Sequence, residues 1–234
     1  MVFLHPKRVP LSRRIILPPS AGNANRYVNM DNTVAIIGRG RTRKYFQYRA
    51  GLHVWAFNDN AMTIPPWQLS GVFEVHPDWD TRYNGVIGCE GYVEWLKQEH
   101  TFPVWTLAGD DRIPNSVPYP YPIQAGELFT STTPYAIALA IHLRYRTIEL
   151  YGIEADPGVE YAGSRDAIYY WLGRARGADI EIKVHEECEL FKAPLYPYGY
   201  DKTPEEQIEV AQKNIASWTR YKESAERKIK GAGK

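Results

Sequence analysis

The residue types best suited to do chemistry sit in a few short stretches. Gly38-Arg39-Gly40-Arg41 is a glycine turn at which a backbone can approach a phosphate closely, and its arginines can add charge-assisted hydrogen bonds. Thr130, Ser131, Thr132 and Thr133 stand directly before Pro134, the composition of a capped helix start, and a helix N-terminus is a ready anion site. Gly152-Ile153-Glu154 turns out of a β-rich run with an acid at its tip. Asn58, whose amide can read a base or a ribose, and His76, a candidate general base, each end a run of strand-forming residues. Together they suit group transfer from a nucleotide donor. Arg39 and Arg41 would neutralise phosphate, Ser131 and the helix amides would clamp it, and His76 or Glu154 would take a proton from an acceptor hydroxyl. The competing readings are a tight strand-to-helix turn with solvated arginines and a structural histidine. Asp78 and Asp80 form a D-x-D, but two letters are a weak metal signal, so no metal ligands are assigned and metal dependence is not expected.

These residues need a frame. Val34-Ala35-Ile36-Ile37 is a continuous apolar run of the kind found in strands covered on both faces, and the glycine turn ends it. Arg43 stands where a dinucleotide fingerprint would have its third glycine, so that fingerprint is incomplete. The pattern predicts strands over Val34–Gly38, His53–Phe57, Val72–Val75, Val104–Leu107, Thr147–Tyr151 and Ile180–Val184. Between them, helices are predicted over Gly91–His100, from Pro134 with Ile137, Ala140 and Ile141 buried, and over Ser164–Gly177 with Ser164 as cap and Ile168, Trp171, Leu172 and Ala175 on one stripe. Ile113–Gln124 carries four prolines and reads as a surface loop whose Tyr119 and Tyr121 cover either the cleft or the sheet edge. Such alternation makes an α/β protein with a mostly parallel sheet of about six strands flanked by helices, and ligands in such sheets bind at the carboxyl ends of the strands. Arg165 falls in the first turn of its helix, where the macrodipole disfavours a cation. A carboxylate or phosphate partner explains it, which would bring Glu154, Tyr161 and Arg165 to the mouth of the cleft; an exposed Arg165–Glu160 pair is the plainer alternative.

The chain divides into a basic, proline-bearing arm (1–32), an α/β nucleotide-binding domain (33–195), and a linker with a long charged helix (196–234). In that helix Ile208, Ala211, Ile215, Trp218 and Tyr221 are spaced as one narrow apolar seam, which must pack on the domain or on another copy of itself. A net charge of +1 does not call for nucleic acid, although the arm keeps that partner open. Two cysteines make neither a disulfide framework nor a metal cage and favour a reducing, cytoplasmic setting; no apolar run is long enough to suggest a membrane span.

VAIIGRG, FTSTTPYAIALAIHLRYRTIELYGIE and EYAGSRDAIYYWLGRARGADIEI, taken in order, resemble a group of Rossmann-like proteins frequently encoded by tailed phages and prophages. That group typically carries a glycine turn, an H-P after the third strand, an F-T-S-S-type helix start and an E-Y-A-x-x-R segment. In general plan it is similar to the bacterial family 42 sialyltransferases and, more distantly, to archaeal-type 6-hydroxymethylpterin pyrophosphokinases and flagellin-glycosylation proteins. Here Arg41-Thr42 replaces the Pro-Ser of the sialyltransferase turn, Thr132 the glycine of T-S-G, and Glu154 the aspartate of G-I-D. The resemblance implies a nucleotide or sugar-nucleotide ligand contacting Gly38, Arg39, Gly40, Arg41, Asn58, Thr130, Ser131, Thr132, Gly152, Tyr161 and Arg165. It also implies a glycosyltransferase-like activity of phage type, in a host cytoplasm. A noncatalytic nucleotide-sequestering protein and an interaction protein with a vestigial site are the alternatives.

Overall fold

The computed structural model describes residues 32–83, 86, 88–154, 162–191 and 203–231. The basic arm, apart from Asn32, lies outside them. Seven strands form one sheet: β1 (Thr33–Ile37), β2 (His53–Phe57), β3 (Gly71–Phe73), β4 (Val104–Thr106), β5 (Ser116–Pro118), β6 (Thr147–Tyr151) and β7 (Glu181–Val184). Their order is β5-β4-β3-β2-β1-β6-β7, and every pairing is parallel. The six predicted strands are all present. The seventh, β5, arises inside the proline-rich stretch read as a loop. Proline is tolerated there because β5 is an edge strand, where Pro118 has no second neighbour awaiting its missing N–H.

Alternation along β1 divides the core. Val34 and Ile36 face a cluster with α3 (Thr132–His142) and α4 (Ala162–Gly177), whereas Ala35 and Ile37 face a second cluster built around α1 (Trp79–Arg82) and α2 (Tyr92–Leu96). Helix α3 is buried around most of its circumference, with Ala136 through Ala140 at 0% exposure, because the sheet lies on one side of it and α4 on the other. Burial of Ile137 and Leu139 contributes about 1.5–3 kcal/mol each. The predicted α4 stripe is buried throughout. Helix α4 begins at Ala162, however, so Ser164 sits within its first turn and is not the cap. Tyr119 and Tyr121 pack with the α3-side core, and the Tyr119 hydroxyl donates to the Tyr135 carbonyl at 2.8 Å.

The strand order reverses between β1 and β6. From β1 the chain steps outward through β2 to β5, then returns through α3 to β6 on the other side of β1. The carboxyl ends of β1 and β6 therefore meet at the switch point. No helix among the described residues is long and apolar enough to cross a membrane. Helix α5 (Pro204–Gly231) closes the chain's described part.

Candidate functional site at the carboxyl edge of the sheet

At the switch point, the Gly38 amide donates to the Tyr151 carbonyl at 2.7 Å and the Gly40 amide to the Gly152 carbonyl at 2.9 Å. The β1–β6 ladder thus continues past both strand ends and closes the crevice. A Cβ on Gly152, whose φ is +67°, would lie 2.6 Å from the Gly38 carbonyl oxygen, so these glycines are required by two backbones packed against each other. The amides of Gly38 and Gly40 are consumed within the protein.

Glu154 clasps this junction. It is buried, and its Oε1 accepts from the Thr42 amide at 2.7 Å and from the Thr42 hydroxyl, which in turn accepts from the Gly152 amide at 2.9 Å. The arginines of the turn have protein partners. Arg39 pairs with the buried Asp59, Arg41 donates to Glu189 Oε1 at 2.7 Å and to the Glu187 carbonyl at 3.0 Å, and Arg43 donates to Asn60 Oδ1 at 2.6 Å. Arg39 and Arg41 still expose about half of their side chains, at 53% and 55%.

Arg165 is half-buried and donates to the Tyr169 hydroxyl and to the Glu189 carbonyl at 3.3 Å. Arg41 and Arg165 are therefore joined through one short segment after β7, the side chain of Glu189 serving one and its carbonyl the other. Tyr161 and Glu160 lie outside the described residues. Nearby, His185 stacks on Tyr45 with ring centroids 3.5 Å apart.

Ser131 holds the N-cap position of α3 in an extended conformation, yet its hydroxyl makes no capping bond. Its Oγ is buried and unpartnered, as is Oδ1 of Asn58, which follows β2 at a φ of +55°. Both groups belong to the sheet's carboxyl edge. Thr130 is exposed and Thr132 is buried in the first turn of α3. The loop carrying Ser131 is fixed from behind by the Trp171 indole, which donates to the Leu128 carbonyl at 2.7 Å.

His76, three residues past the end of β3, belongs to a network that sequence reasoning missed. Its Nδ1 meets Oε1 of Glu74 at 2.7 Å, and its backbone amide donates to the same oxygen at 3.1 Å. The Glu74 side chain is fully buried, and its Oε2 accepts from the hydroxyls of Tyr83 at 3.0 Å and Tyr92 at 2.9 Å. Burial, reinforced by the Glu74 charge, pushes both phenols well above their ordinary range, so they remain donors. A carboxylate with that many donors fixes Nδ1–H on the imidazole and leaves Nε2 as the available nitrogen of a ring that is 23% exposed. The sequence signal was the E-x-H spacing, since residues i and i+2 of an extended chain share a face.

Asp78 and Asp80 are engaged with Arg82 and Arg112, at 3.8 and 2.5 Å. Among the described residues no group of three His, Cys, Asp or Glu side chains is arranged to hold a metal ion.

No family model matches this chain, and no curated protein matches it. Among solved structures it is similar to the sialyltransferase CstII from Campylobacter jejuni in complex with cytidine-5'-monophosphate, at 13% identity and a TM-score of 0.40 over 65% of this chain and 78% of that one. It is also similar to CST-II in complex with a trisaccharide acceptor and CMP, at 16% identity and a TM-score of 0.44 over 65% and 80% of the two chains.

Proposed function

We propose that this chain binds a nucleotide or sugar nucleotide at the carboxyl edge of the sheet and transfers its glycosyl group to an acceptor hydroxyl. The observation that carries the reading is the buried, unpartnered Oγ of Ser131 at the vacant cap of α3, a donor site beside orphan helix amides. Asn58 Oδ1 supplies the second unfilled group, suited to a base or ribose donor. In this reading the α3 N-terminus holds the donor phosphate, and Arg39 and Arg41 exchange Asp59 and Glu189 for it on binding. The acceptor oxygen attacks the anomeric carbon, its proton passes to His76 Nε2, and the carbon–oxygen bond to phosphate breaks with the nucleotide phosphate as leaving group. Glu154 acts as the clasp that holds the glycine turn. Phage type and a cytoplasmic setting belong to the same proposal; the buried thiols of Cys89 and Cys188 suit a reducing compartment. Because the Gly38 and Gly40 amides are already consumed, noncatalytic nucleotide binding at Ser131 and Asn58 is the second reading.

A thermal-shift panel of nucleotides and sugar nucleotides tests binding. A ligand at a hundredfold its Kd adds about 2.7 kcal/mol of stability. Ser131→Ala and Asn58→Gly, the second chosen because glycine tolerates the positive φ of position 58, should remove that response while leaving the apo Tm nearly unchanged. His76→Ala should keep the response and lose turnover; if no turnover exists in wild type, the noncatalytic reading stands. The absence of any nucleotide response at millimolar concentration would overturn both.

A further inference from the structure

We infer that α5 pairs with the α5 of a second copy of this chain, running antiparallel to it. Ile208, Ile215, Trp218 and Tyr221 are 58%, 66%, 59% and 53% exposed, and from 203 to 223 every side chain except Ser217 is exposed. Large apolar groups repeated along one stripe of a solvated helix form a surface that water disfavours. The spacing is heptad: Ile208, Ile215 and Lys222 recur every seven residues, with Ala211 and Trp218 interleaved three residues after the first two. Such a 3.5-residue period is what a helix facing another helix requires, and a second α5 presents the same stripe.

Orientation follows from charge and size. The segment 204–212 contains Glu205, Glu206 and Glu209 with no base, whereas from Lys213 to the helix end six bases stand against two acids. Antiparallel pairing sets each acidic end beside a basic end. Parallel pairing would set like against like and would place Lys222 opposite Lys222 in the seam. In the antiparallel register where Ile215 of one copy faces Trp218 of the other, Ala211 faces Lys222, so the small residue leaves room for the lysine's aliphatic stem. Parallel alignment would instead stack Trp218 on Trp218.

Sedimentation or light scattering of the full chain between about 10 and 100 µM should report a dimer. Ile215→Glu combined with Trp218→Glu should give a monomer with the unfolding transition of the sheet domain unchanged. A short bismaleimide should join Ala211→Cys to Lys222→Cys when the two variants are mixed, and should join neither variant to itself. Self-linking of Lys222→Cys would overturn the orientation. A wild-type monomer at every concentration would overturn the pairing, and hydrogen-exchange protection of 208–221 in that monomer would assign the seam to the chain's own domain.

Discussion

If Glu154 is the clasp of the glycine turn, Gly40→Ala should be destabilising in a way that removal of Glu154 largely cancels. An ideal Cβ on Gly40 would sit 2.6 Å from Glu154 Cδ and closer still to its Oε2, and 3.0 Å from the Gly152 carbonyl oxygen. The carboxylate must therefore leave Thr42, giving up two buried hydrogen bonds to a charged acceptor, a loss of about 2–4 kcal/mol. For a chain of this size that lowers Tm by about 4–16 °C. Glu154→Ala alone strands the buried Thr42 amide and costs about 1–3 kcal/mol. In the double variant the methyl enters space the carboxylate has vacated, and only the 3.0 Å approach to Gly152 remains. Denaturant melts of the four proteins should then give a coupling of roughly 2 kcal/mol. Gly38→Ala is the control, because its Cβ would meet the Gly152 backbone, which no trimming of Glu154 relieves. Costs for Gly40→Ala and Glu154→Ala that add within about 0.5 kcal/mol would refute the clasp.

Glu74→Gln preserves shape but turns one acceptor oxygen into a donor facing either two phenol hydroxyls or the His76 ring; it should cost about 2–3 kcal/mol in a denaturant melt, against about 1 kcal/mol for Tyr83→Phe. The reverse ranking would show that Glu74 is not the hub. Burial pushes the imidazoles of His53, His100 and His142 below their ordinary value. The unfolded chain therefore takes up protons first as pH falls through about 6.5, so the stability these groups contribute is complete above that pH and declines below it. Tm should drop between pH 7.5 and 5.5, and a flat profile across that window would contradict the burial of these rings.

What the sequence made legible is what depends on neighbours along the chain. Val34–Ile37 and Thr147–Tyr151 read as strands because their apolar and β-branched content is local, and both appear with those residues in the sheet. Glycine was legible at 38, 40 and 152 as a need for close approach, but the approaching group was not. It is the backbone of a strand more than a hundred residues away, whose carbonyls take the same amides a phosphate would have used. The arginines followed the same rule: their partners Asp59, Glu187 and Glu189 are set by topology, and no spacing rule links 41 to 189. β5 escaped because a proline rule that holds for central strands does not bind at an edge. Glu74 escaped for the opposite reason. An acid inside the apolar run Gly71–Val75 carries no local mark of its surroundings; β3 is covered on both faces, so that acid had to find donors inside the protein. It found Tyr83, Tyr92 and His76, and the cost of burying its charge is offset only while all three are in place, which makes the orientation of the His76 ring a consequence of the core and independent of any ligand.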